Sequence, residues 1–435
     1  MRFKPKVLLF LFFLPIFAFS KVLTLEQAVN KALENNPRIK SLKLNLKASE
    51  YGVKAADKVK YGELDLNAGF KKSSDENVIR PMSKDLILAG FANMPFDDEY
   101  WYWSLDYKLP IYSGGKIKAS EKMAREKKKS VFYQLNSLKW NTRYSVVRLF
   151  LGIISADKRL ESLNSYLASL ESLKKHIEEG YKLGKFAEID LYKVDYQIEE
   201  AKLKIETLKQ ARTSLMHALE NLLGEDDLSG YSFEFKAEEE PKLDLPELNL
   251  LVDKAYENRS DLMNAQSFVK IKQYGITIAK SDWKPQVSLN ANLMGVNGNN
   301  IDYSDKFWTI TANVSFPIFD MGRRHKKIKQ AKKEQESAVE LYRGVKLNVR
   351  REVSDAYSKV LKEYQNYKTA LASLKLQSEV ERIERLKYQN GVGDIDDFLM
   401  AKSRKLLAES SVIEAEFNFF IAKEELKKSI EGDLK

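Results

Sequence analysis

Few residues in this 435-residue chain have the types and spacing that chemistry requires. The three histidines, His176, His217 and His325, lie far apart in no metal-ligand spacing, and there is no cysteine to build a thiolate site. Neither a phosphate-cradling glycine loop nor a nucleophile elbow occurs. The residues therefore point away from an enzyme, a cofactor or a resident metal. Two charged groupings remain. Asp394, Asp396 and Asp397 follow Gly391-Val-Gly393, where carboxylates can cap the free N–H groups of a starting helix. Arg323, Arg324, Lys326 and Lys327 open another helical pattern, and Lys116 and Lys118 open an equivalent one. Cations at a helix N-terminus oppose its dipole, so helix stability does not account for them.

The elements that must position these groups are a strand and a very long helix, met twice. In WYWSLDYKL, Trp101, Trp103, Leu105, Tyr107 and Leu109 alternate with polar residues, which predicts a strand with one greasy and one wet face. The breaker cluster Pro110-Ile-Tyr-Ser-Gly-Gly115 follows, then a helical pattern to Gly180 with no proline. About 65 residues at about 1.5 Å each make a rod on the order of 100 Å long. It turns at Gly180-Tyr-Lys-Leu-Gly184, and a second helix starts near Ala187. Leu160, Leu163, Leu167, Leu170 and Ile177 on the first rod, with Leu191, Val194, Ile198, Ala201, Ile205 and Leu208 on the second, form heptad seams. An antiparallel helical hairpin is expected.

FWTITANVSFPIFDMG from Phe307 repeats the strand and breaker, with Pro317 and Gly322 each 207 residues after Pro110 and Gly115. YQNGVGDIDDF from Tyr388 repeats YKLGKFAEIDL from Tyr181 in the same register. The opening helix, which starts at a Thr24-Leu-Glu-Gln27 capping box and is interrupted at Pro37, recurs over 250–281. The offset there is 223, so the first strand hairpin (about 62–70 and 101–109) is 16 residues longer than the second. The expected organisation is a leader over 1–20, a first repeat over 21–223, a linker over 224–247 with the strand-like YSFEF, a second repeat over 248–431 and a tail over 432–435.

The leader has Arg2, Lys4 and Lys6 before an apolar run from Val7 to Phe19, with Ala18 and Ser20 placed for cleavage before Lys21. Without cysteine the exported chain carries neither disulfide nor lipidated N-terminus. The net charge of +10 spreads over lysine-rich helices with no nucleic-acid module, so nucleic acid is not an expected partner.

Four two-faced strands of nine or ten residues approach the length that crosses a bilayer at a tilt. A spanning sheet must close into a barrel, and known barrels start at about eight strands, so four strands require other copies of the chain. Trp101, Trp103, Tyr107, Trp308 and Phe316 suit an aromatic girdle at the membrane boundary. Two half-length helices end to end match one long helix, which continues the barrel as a cylinder of even wall.

With LTLEQAVNKALENNP at its start, the junctions LPIYSGG and FPIFDMG and the tips YKLGKFAEIDLYK and YQNGVGDIDDFLMAK, the chain resembles the TolC-type outer-membrane factors over nearly its whole mature length. That resemblance implies a mainly helical fold with a shared trimeric twelve-stranded β-barrel and a periplasmic α-barrel tunnel. It implies an outer-membrane duct for efflux or type I secretion, working with a periplasmic adaptor and an inner-membrane pump of RND or ABC type. It also implies a closed, cation-binding tip: Asp397 matches the first ring aspartate and Tyr388 the latch tyrosine, with Asp394 and Asp396 as further carboxylates. Met400 stands where some relatives carry a second aspartate, and Gly393 where the basic latch partner belongs. Adaptor hairpins would dock at the tips around Gly184, Asp190 and Gly391. In that setting Arg323, Arg324, Lys326, Lys327, Lys116 and Lys118 fall at the periplasmic ends of the strands, where they would meet anionic headgroups at about 1 kcal/mol each. An exported coiled-coil scaffold or adaptor is the alternative.

Overall fold

The structure, a computed structural model, describes residues 21–88, 90–235 and 241–434; the expected leader over 1–20 lies outside the described residues. Strand β1 (Lys21–Thr24) leads into α1 (Leu25–Asn35), where the capping box is formed: Gln27 N–H donates to Thr24 Oγ1 at 3.3 Å and Thr24 N–H to Gln27 Oε1 at 3.1 Å. Helix α2 (Pro37–Lys58) starts afresh because Pro37 cannot donate to the preceding turn. Asn36 fills the gap, its Oδ1 accepting from Arg38 N at 2.9 Å. Then come β2 (Glu63–Val78), the short α3 (Lys84–Leu88), β3 (Phe96–Tyr112), the rod α4 (Lys116–Lys182) and α5 (Glu188–Leu223).

Strand β4 (Tyr231–Glu234) pairs in parallel with β1, a partner not visible in the sequence. The second half follows with α6 (Leu248–Asn258), α7 (Ser260–Ser281), β5 (Gln286–Gly298), β6 (Ser304–Ser315), the rod α8 (Arg323–Gln389) and α9 (Ile395–Ile430). Both rods have 67 residues and both return helices 36. The α6–α7 break occurs without a proline. Arg259 holds it, with φ −65° and ψ 120°, close to the −55° and 123° of Asn36, its counterpart in the first repeat.

The large sheet has the order β2-β3-β5-β6, antiparallel throughout, with β2 and β6 as its edges. The strands run to 16, 17, 13 and 12 residues, longer than the nine or ten with clean alternation. Ladder pairing continues past the greasy stretch into polar sequence, Lys72 opposite Glu99 and Asn77 opposite Asp97. Pairing needs only backbone groups, so it outlasts the side-chain pattern.

In the half nearer the sheet, α4 lies between α2 and α7, and α8 flanks α7; nearer the tips, α4 lies between α5 and α9, and α8 flanks α9. Helix α8 is thus an edge along its whole length, and Leu347, Leu361, Leu371, Leu376 and Leu386 on it are exposed. All eleven seam residues singled out on α4 and α5 belong to one cluster, where Leu170, Ile177 and Val194 are fully buried. Each such side chain contributes roughly 1.5–3 kcal/mol by leaving water.

Candidate functional site

The tips begin as two copies of one turn. Gly184 N–H donates to Tyr181 O at 2.9 Å and Lys185 N–H to Gly180 O at 2.8 Å; Gly391 to Tyr388 at 3.1 Å and Val392 to Lys387 at 3.0 Å repeat this. These are Schellman closures, which need a left-handed residue. Gly184 and Gly391 supply it, with φ of +71° and +72°. The next helices start on carboxylates: Asp190 accepts from Ala187 N at 3.2 Å and Asp394 from Asp396 N at 3.0 Å.

Tyr388 ties the two tips together. Its ring is stacked between Phe186 of the first tip (centroids 6.0 Å, planes 15° apart) and Phe398 at the start of α9 (5.5 Å, 18°). Phe186 reaches it by lying on Gly180, where any Cβ would collide with the ring. The Tyr388 hydroxyl is enclosed with no hydrogen-bond partner among the described residues. Burial, then the nearby Asp190 carboxylate, push its pKa up to about 12, so it stays neutral at physiological pH.

An ion pair also joins the tips. Lys193 Nζ lies 2.7 Å from Asp396 Oδ2 and 3.9 Å from Asp190 Oδ1. The hydrogen bond to Asp396 holds the Lys193 ammonium above its ordinary range. Asp397 is exposed and close enough to Lys387 to raise that pKa slightly, though less than Glu384 does. At Gly393 a Cβ would come within 2.8 Å of Lys387 Cβ and 3.1 Å of its carbonyl carbon, so this turn has no room for a basic side chain without shifting. The structure thus brings Tyr388, Asp190 and Asp396 together and leaves Asp397 outward. Phe186, Phe398 and Lys193 complete the site and were not singled out from sequence. The partners of Phe186 and Lys193 lie about 200 residues away, but the matched 207-residue registers of the tips are the signal that could have found them.

At the other end, Trp101, Trp103, Tyr107 and Trp308 share the apolar face of the sheet and Phe316 follows directly after β6, with Trp101, Trp308 and Phe316 more than half exposed. Phe70 joins Trp101 at 5.0 Å, and Tyr107 donates its hydroxyl to Tyr61 O at 2.7 Å. Of the basic residues beneath, Arg323, Lys326, Lys327, Lys116 and Lys118 are exposed. Arg324 is not, and the headgroup reading is corrected for it. Its guanidinium lies over Trp283 at 4.7 Å and donates to Asp320 Oδ2 at 2.8 Å, Pro317 O at 3.1 Å and Asp282 O at 3.2 Å. All of its charge is met inside the chain, where it braces the strand-to-helix junction.

Long helical hairpins set on an antiparallel four-stranded sheet recur in solved outer-membrane channels. CmeC, the outer membrane channel of Campylobacter jejuni, superposes with a TM-score of 0.81 at 17% identity, covering 94% of this chain and 86% of that one. A membrane protein of Pseudomonas aeruginosa gives 0.79 at 20% identity and 93% coverage of both chains. The outer membrane protein OprJ of Pseudomonas aeruginosa is 22% identical over 419 residues, 94% of this chain and 84% of that one. Residues 28–225 and 251–431 match the outer membrane efflux protein family, and the chain belongs to that family.

Proposed function

We propose that this protein is the outer-membrane channel-tunnel of a tripartite efflux or type I secretion system, a homotrimer that passively conducts what an inner-membrane pump delivers. One observation carries the reading: a sheet with one apolar face of membrane length has two unpaired edges, β2 and β6. Within a bilayer those edges must pair, β6 of one copy with β2 of the next. Three copies supply twelve strands, an even number within the known range. The helices have matching open edges, α8 on one side and α2 and α5 on the other.

In that assembly the tips form the periplasmic entrance. Asp397, exposed in each copy, supplies the acidic ring with Asp394 and Asp396 beside it, and repelling carboxylates at a constriction favour cations. The turns at Gly184 and Gly391, with Asp190, are the docking points for an adaptor hairpin. Arg323, Lys326, Lys327, Lys116 and Lys118 anchor the chain to outer-membrane headgroups. No step of chemistry is required of the chain; the pump, of RND or ABC type, supplies the energy.

The test is conductance of the detergent-extracted protein in planar bilayers, with divalent cations added on the tip side. A small, stable, cation-preferring conductance that grows in Asp397→Ala is expected. No conductance, together with solubility in the absence of detergent, would overturn the reading in favour of an exported scaffold.

A further inference from the structure

Residues 79–95, described except at 89, join β2 to β3 and account for most of the extra length of the first strand hairpin. They do not stand clear of the sheet. Arg80 donates from Nη1 to the Tyr303 hydroxyl at 3.2 Å and pairs with Asp305 of β6, and Tyr303 donates in turn to Asp305 Oδ2 at 3.0 Å. Strand β6 keeps an unbroken register with β5 from Gln286 to Asn297, so Asp305 shares a face with Thr309, Thr311 and Asn313. That is the polar face. Arg80 follows the β2 edge, yet it is held at the β6 edge, so the segment is folded back across the polar face at the end far from the helices. Ile79 and Leu86 within it are buried, and so is Val296 on the same face of β5, while Met82, Ile87, Leu88 and Phe91 are exposed. Joining two antiparallel strands needs only a few residues, as between β5 and β6, so the extra length has another use.

We infer that this segment is a strap lying inside the mouth of the barrel, where it narrows the distal exit and sets the size of what can pass. The inference rests on the proposed channel, since the polar face encloses the lumen only if the sheet closes. Three straps, one per copy, then approach the axis from three sides. Their exposed apolar side chains form a rim that resists wetting when narrow, a second constriction at the opposite end from the tips. The Arg80–Asp305 pair is the tether that keeps each strap against the wall.

The chain has no cysteine, so one can be placed alone in full-length protein. Thr311→Cys puts it on the polar face of β6, deeper than Asp305. Intact cells are treated from outside with a small impermeant maleimide or a bulky polyethylene-glycol maleimide. The small reagent should label Thr311→Cys with the strap intact; the bulky one should be slow. Labelling by the bulky reagent should then rise by about an order of magnitude when Arg80→Ala frees the strap or when residues 82–88 are replaced by Gly-Gly. Equal rates for the bulky reagent with intact and shortened straps would overturn the strap and leave the channel standing. Failure of even the small reagent after shortening would mean that this face is no water-filled lumen, and both readings would fall together.

Discussion

At the scale of single residues, the tip is held by stacking more than by hydrogen bonding. Tyr388 is gripped by Phe186 and Phe398, and its enclosed hydroxyl has no partner among the described residues. An enclosed polar group without a partner costs about 1–3 kcal/mol, while aromatic pairs add about 0.5–1.5 kcal/mol beyond their burial. Tyr388→Phe should therefore leave bilayer conductance at the parent level, and Tyr388→Ala should raise it. Equal opening by both variants would show that the hydroxyl, not the ring, carries the closure. A pKa raised from 10.0 to about 12 keeps the hydroxyl neutral, and folding begins to lose stability to its ionisation only in alkali, so the stack should not respond to physiological pH. The Lys193–Asp396 pair is more exposed and should matter less. Lys193→Met is expected to cause a small conductance rise that molar salt reproduces in the parent. Tyr388 stood out in the matched tip motifs, but the rings around it are set by how two hairpins meet. Arg324 misled for a related reason: its burial depends on Trp283 and Asp282, about 40 residues upstream, which only the folded junction brings to it.

At the scale of elements, the repeat, the rods and the strand hairpins were legible because length and periodicity determine them. The second helix break was not. Asn36-Pro37 announces the first, whereas Arg259-Ser260 carries no breaker and owes its bend to tertiary bonds. The Arg259 guanidinium donates to both oxygens of Asp261 (2.9 and 2.6 Å), to Glu352 Oε2 at 2.6 Å and to Ser429 O at 3.3 Å. Loss of Arg259 removes four hydrogen bonds of a buried guanidinium at once, though Asp261 and Glu352 are open enough to rehydrate, so the cost stays below the roughly 3–5 kcal/mol of a fully buried pair. Loss of an N-cap side chain such as Asn36 costs about 1 kcal/mol. Arg259→Ala should therefore lower the thermal midpoint of the extracted protein well below that of Asn36→Ala; the reverse order would contradict this account. Beside it, burial pushes the Glu431 carboxyl up, against two hydrogen bonds from Ser260 that pull it down. A raised carboxyl favours the folded state below its ordinary range, and that contribution fades as pH rises through the raised value. Glu431→Gln keeps an acceptor for Ser260 and removes the cost of ionisation. Its midpoint should exceed the parent's slightly at neutral pH and match it in acid, as a melting series across pH would show.

At the scale of the whole molecule, the two faces of the sheet must meet different solvents. Ile310 and Thr311 are neighbours in β6, both exposed in the single chain, and they point to opposite faces. If three sheets close around water, Ile310 faces hydrocarbon and Thr311 faces the lumen. A lysine on the lipid face near the bilayer midplane costs roughly 2–4 kcal/mol, whereas a lumen lysine stays hydrated and alters only selectivity. The cost at Ile310 is met once in each copy, so it triples in a trimer. Ile310→Lys should deplete the membrane-embedded trimer, measured as the slow, heat-dissociable band in unboiled gels. Thr311→Lys should leave that band intact and shift the conductance toward anions. A flat coiled-coil scaffold would present both positions to water, and neither lysine would then change assembly. The pair therefore separates a closed barrel from an open sheet by one step along a single strand.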